Sequence, residues 1–161
     1  MLLIKIYYKV NKILTLLYYK INYCNKLKFS KINFRKRFNV SIGKKGIVRI
    51  GNGCFFNNDC SINCLDLIEI GEDCIFGENV KIYDHNHSFK ENRKIKEQPM
   101  RCDSIHIGKN VWIGSNVIIL AGTYVGDNSV ISAGVTIHGK IPENTIVKRG
   151  ADAFYFEAIK R

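Results

Sequence analysis

Aliphatic or aromatic residues recur every six positions at Ile70, Phe76 and Ile82, and again at Ile107, Ile113, Ile119, Val125, Ile131 and Ile137. Glycine follows most of them (Gly71, Gly77, Gly108, Gly114, Gly126), and the fifth place of each hexad holds a small or β-branched residue: Cys74, Val80, Val111, Val117, Thr123, Ser129, Val135. A step of six fits neither the 3.6-residue helix nor plain two-residue alternation sustained over so long a stretch. It fits a solenoid with short flat faces. Three hexads close one triangular coil, the large residue fills the interior, and glycine or Asn relieves the backbone at the corners. Each coil then buries its apolar face on the next.

An earlier set, Ile50, Phe56 and Ile62, keeps the step, with Cys54 and Cys60 in the fifth place and two extra residues before Ile70. Together with Cys74, three of the six cysteines are thereby explained as core packing. With Cys24, Cys64 and Cys102 they show no CxxC spacing, and the chain lacks a cleavable signal pattern, so the expectation is reduced thiols in a cytoplasmic protein.

The repeating unit resembles the hexapeptide repeat of the left-handed β-helix transferases, over roughly residues 40 to 142. The resemblance implies an all-β chain folded as a left-handed parallel β-helix; the period alone gives only a solenoid. The resulting division is a basic helical arm at 1–39, a β-helix acyltransferase domain at 40–146 with a loop at 88–104, and a C-terminal tail at 147–161. At 161 residues the chain has no room for a second catalytic domain.

The hexads stop at SFKENRKIKEQPMRCDS, residues 88–104, and a loop of that length in a compact solenoid commonly has a function. Directly before it stands YDHNH, Tyr83 to His87. In the sugar O-acetyltransferases that this chain resembles, the matching coil runs through an Ile-Tyr-like pair to a T-A-T-H-P segment whose His is the general base. Counted from Val80, Ile82 and Tyr83 match the pair and His87 matches the His. His85 takes the alanine place and is the second candidate base, and the string also resembles the DHxH variant of polysaccharide-modifying relatives. An imidazole titrating near neutrality suits removal of a proton from an attacking hydroxyl. By the same resemblance Asn57 falls on an acceptor-binding Asn, with Tyr83 and Asp84 as further acceptor contacts, whereas the family's acidic residue at the next turn falls on Leu65.

The segment 110–145, NVWIGSNVIILAGTYVGDNSVISAGVTIHGKIPENT, is the most family-like. The resemblance implies acetyl-CoA as co-substrate and no metal: Trp112 lines the CoA region, the Ser115 amide faces the thioester carbonyl, and Ala133 and Gly134 meet the pantetheine amides. Relatives close on a Gly-x-Pro-Ala-Lys-like segment that meets the CoA phosphates; here Gly150 is followed by Ala151, Asp152 and Ala153, which leaves Lys148 and Arg149 as the nearby cations. The family also implies a homotrimer with each site between two chains, acetylating a sugar or lipid-linked saccharide.

The net charge of +11 is confined to one end: thirteen Lys or Arg precede the first acid, Asp59. Apolar residues at three- and four-residue steps from Leu2 to Ile21, with Lys5, Lys9 and Lys12 between them, define an amphipathic basic helix. It suits either the anionic inner face of a membrane or packing against the solenoid or a partner chain. No recognition motif supports nucleic acid. Three other readings stay open: a γ-class carbonic anhydrase-like zinc protein using His85, His87 and His106, a sugar N-acetyltransferase, and a non-catalytic scaffold.

Overall fold

The computed structural model describes residues 2–149 and 154–158. Helix α1 (Leu2–Asn22) leads into a parallel β-solenoid whose short strands stack into three faces, one six-stranded, one seven-stranded and one five-stranded. On each face the residues that lead the hexads form an in-register ladder that points inward. Ile50, Ile70, Ile107, Val125 and Ile141 form the first. Phe34, Phe56, Phe76, Ile113, Ile131 and Val147 form the second. Val40, Ile62, Ile82, Ile119 and Ile137 form the third. All sixteen are buried, and so are the fifth-place residues from Cys54 to Val135, which is what a two-per-hexad inward pattern requires. Where the ladder is aromatic the rings stack, Phe56 on Phe76 with centroids 4.4 Å apart.

The corners follow from backbone conformation. Asp59, Asp73, Asn79, Asn110, Asn116, Asn128 and Asn144 all sit at positive φ, the region that short polar side chains tolerate best after glycine. Asn79 donates to Asn116 and Asn110 to Asn128, each at 2.9 Å, so the turns bond from coil to coil. Glycine is required where coils touch: a Cβ on Gly114 would lie 2.5 Å from the Ala133 nitrogen.

Both ends of the solenoid lie outside the 40–146 span read from the hexads. Parallel pairing begins at Leu27–Phe29, against Ile47–Ile50. The first coil escapes the hexad rule because Ile32 and Phe38 occupy the places that Cys54 and Cys60 fill one coil later. These side chains have room to be large, since no further coil lies beneath them, and α1 packs on Phe38. Tyr19, 3% exposed, packs against Phe38; its hydroxyl donates to the Phe38 carbonyl (3.0 Å) and accepts from the Val40 amide (2.9 Å). At the other end Thr145–Arg149 continues the seven-stranded face, and Phe154–Ala158 returns antiparallel along it.

The segment 88–104 is also more ordered than a loop. His85–His87 pairs antiparallel with Met100–Cys102, so the chain leaves the coil as a β-hairpin. Gln98, nearly buried, ties its far end by donating to the carbonyls of Glu91 (3.1 Å) and Arg93 (3.0 Å). Among the described residues no helix is long and apolar enough to cross a membrane.

Candidate active site

The five-stranded face has two edges, and the candidate residues divide between them. At the edge where the chain enters this face, Ser115 and the pair Ala133–Gly134 lie on successive coils, and Asn57 lies two coils before Ser115. Gly134 donates its amide to the Ser115 carbonyl (2.8 Å), and the Ser115 hydroxyl accepts from the Glu78 amide (3.0 Å). Ala133 and Gly134 are exposed, and the outer face of Gly134 is open, with nothing within 4 Å of where a Cβ would stand. A slender amide-bearing chain fits such a ridge. Trp112, 56% exposed, stands on the adjoining strand Trp112–Ile113. Asn57 is half-buried at this corner, its side-chain oxygen accepting from the Asn58 amide (2.9 Å).

At the opposite edge, beyond the strand Lys81–Tyr83, stand Asp84, His85 and His87. The sequence reading sets Asp84 against the acceptor, but the structure buries it completely. Its carboxylate accepts from the amides of Leu65 (2.8 Å) and Asp66 (2.7 Å), from the Cys64 thiol (3.2 Å), and lies 2.9 Å from His85 Nδ1. Leu65 and Asp66 are the two residues by which this coil exceeds three hexads, so Asp84 anchors an enlarged corner from inside. Burial, reinforced by the neighbouring carboxylate, pushes the Cys64 thiol up to about 12, which keeps it a donor. Nothing in the hexad pattern marks Asp84 as interior; the insertion between Ile62 and Ile70 is the signal that a corner here needs an anchor.

His85 is therefore held in one orientation, with Tyr83 edge-on at 6.5 Å, while His87 is exposed on the hairpin opposite Met100. Asp66 accepts from the Ser104 hydroxyl (2.9 Å), and the Asp84 carbonyl accepts from the Asp103 amide (2.9 Å), so the base of the hairpin is bonded to the same corner. His106 belongs elsewhere: it lies on the six-stranded face with Nδ1 3.0 Å from Glu69, whose carboxyl the hydrogen-bonded Arg49 holds below the usual carboxylate range. Among the described residues no three His, Cys, Asp or Glu side chains of one chain stand together as a metal site.

Within one chain the two edges are thus kept apart. Ser115 is in register with Glu78, seven positions before His85, a path on the order of 20 Å along a strand-and-turn backbone. Lys148, half-buried, and Arg149, exposed, lie on Thr145–Arg149 beside the returning strand; the altered segment after Arg149, Gly150 to Ala153, lies outside the described residues.

Comparison with known proteins agrees with this architecture. The bacterial transferase hexapeptide (six repeats) family model matches residues 104–139. A maltose O-acetyltransferase from Clostridium difficile 630 superposes with a TM-score of 0.68 at 31% identity, over 82% of this chain and 68% of that one. A hexapeptide-repeat acetyltransferase from Vibrio cholerae, solved with acetyl coenzyme A, superposes with a TM-score of 0.69 at 27% identity, over 80% and 69% of the two chains. The galactoside O-acetyltransferase of Escherichia coli (strain K12) is 33% identical over 103 residues, 62% of this chain and 48% of that protein. The three ladders define a parallel β-helix, and its likeness to these hexapeptide-repeat acetyltransferases makes it the left-handed type. The chain belongs to the hexapeptide-repeat acetyltransferase family. It spans about half the length of the curated relatives it matches.

Proposed function

We propose that this protein transfers an acetyl group from acetyl-CoA to a hydroxyl of a sugar or lipid-linked saccharide, as a cytoplasmic homotrimer whose sites form between chains. The observation that carries the reading is the division of the site: an open backbone ridge at one edge of the five-stranded face, and a carboxylate-anchored histidine hairpin at the other. A closed ring of head-to-tail contacts brings the two edges of different chains together. An acetyl-CoA complex and a coenzyme A complex among the structural neighbours support the donor, and the maltose and galactoside transferases support a sugar acceptor.

In this mechanism Trp112, Ala133 and Gly134 of one chain hold the donor, with Lys148 and Arg149 toward its phosphates. Asn57 and Tyr83 orient the acceptor. His87 of the neighbouring chain takes the proton as the acceptor oxygen attacks the thioester carbonyl, and the Ser115 amide stabilises the oxyanion. Collapse of the tetrahedral intermediate expels the CoA sulfur, which receives that proton from His87; no covalent enzyme intermediate forms.

His87 is chosen for its register and exposure. The contact of Asp84 with His85 Nδ1 favours a second reading, in which His85 is the oriented base. Thiol release from acetyl-CoA in the presence of sugar acceptors separates them. His87→Ala should lower kcat by about 10²- to 10⁴-fold, with His85→Ala milder; the reverse order assigns the base to His85, and normal rates in both remove the base from this edge.

A further inference from the structure

We infer that the outward face of α1 docks on an anionic lipid bilayer, lying in the plane of the headgroups. The inference uses no residue of the acetyl-transfer site and stands apart from it.

The helix attaches to the solenoid through one side only. At 3.6 residues per turn, Leu16, Tyr19 and Tyr23 share the face that packs on the first coil. Ile6, Val10, Ile13, Leu17 and Ile21 fall on the opposite side, and each is between 49% and 69% exposed. Five large apolar side chains in one continuous stripe, pointing away from the fold that anchors them, form a patch of the kind that marks a contact surface. Along its sequence the helix carries lysines too often to span a bilayer, and its one-sided stripe is suited to lying on one.

Charge selects the occupant. No Asp or Glu precedes Asp59, against thirteen Lys or Arg. Lys9 and Lys20 are exposed on α1 itself. Between the helix and the first coil runs a cleft lined by Lys9, Lys12, Arg35, Lys36 and Arg37, with no acidic side chain among its described lining. Lys36 lies over the Tyr8 ring at 4.5 Å and Lys12 over the Phe34 ring at 5.5 Å, so these two cations are held between the helix and the first coil, while Arg37 pairs with Asp59. A second copy of this chain would bring an equally basic helix against the first, which opposes self-pairing. An anionic headgroup layer satisfies stripe and cations together.

Co-sedimentation of the full chain with phosphatidylcholine vesicles, with and without about one third phosphatidylglycerol, tests this. Binding should be at least about tenfold stronger to the anionic vesicles and should fall as sodium chloride rises to about 0.5 M. The double variant Ile13→Asp, Leu17→Asp should lose that binding by about tenfold or more, with its thermal midpoint and thiol release on soluble sugars unchanged, because both side chains are exposed. Equal binding to the two vesicle types, or undiminished binding by the variant, overturns the inference. So does concentration-dependent association through α1 that the variant abolishes, since a second copy would then be the occupant.

Discussion

The two edges of the five-stranded face are built in different ways. The edge bearing Asn57, Ser115, Ala133 and Gly134 is made of backbone: small residues, corner turns and amides repeated from coil to coil. The edge bearing Asp84, His85 and His87 is made of side chains, and it occurs once, where the repeat is interrupted on both of its sides. The ridge gains its shape from periodicity and the histidine edge from departures from it. A solenoid is thereby able to keep one edge uniform while one corner differs from all the others.

Substitutions at single positions break that contrast, in descending size. Gly114→Val places side-chain atoms against the Ala133 backbone, where a Cβ alone would lie at 2.5 Å. Coil stacking has no slack there, so a loss of about 3 kcal/mol is expected in denaturant unfolding. Asp84→Asn acts on the other edge. It turns an amide group toward the Leu65 and Asp66 donors that the carboxylate accepts, and frees His85 from its anchor. The expected cost is about 2 kcal/mol, with a fall in kcat that His85→Ala should reproduce without the same loss of stability. Gly134→Ala should be the mildest. Its φ of +72° costs an L-residue about 1 kcal/mol, but the added methyl meets no neighbour. If the ridge holds the pantetheine chain, the KM for acetyl-CoA rises while the melting temperature drops only slightly. An unchanged KM would detach the ridge from the donor.

These differences also explain what was legible in the sequence. The ladders were readable because Ile, Val, Phe and Gly must recur wherever coils stack. The first coil was not, since Ile32 and Phe38, with no further coil beneath them, are free to be large. The hairpin was hidden for a related reason: a strand pair that projects from the solenoid buries little, so His85–His87 and Met100–Cys102 carry no apolar alternation. His87 and His85 could be picked out by register, but the burial of Asp84 could not, because a carboxylate satisfied by two amides, a thiol and an imidazole breaks every hexad expectation at once. Cys64 is the companion case, a fourth buried cysteine that lies outside the fifth-place rule and donates to that carboxylate.

The central claim is that a working site takes its histidine edge and its ridge from different chains. Subunit complementation tests it most directly. His87→Ala damages only the first edge, and Ala133→Trp, at an exposed position, only the second. Each protein alone should be nearly inactive. Co-expressed in equal amounts with two different tags and purified through both, they should regain acetyl transfer to about one third of the unmutated level, because each mixed ring of three holds one interface that pairs an intact histidine edge with an intact ridge. Mixed oligomers as inactive as either parent would contradict the account.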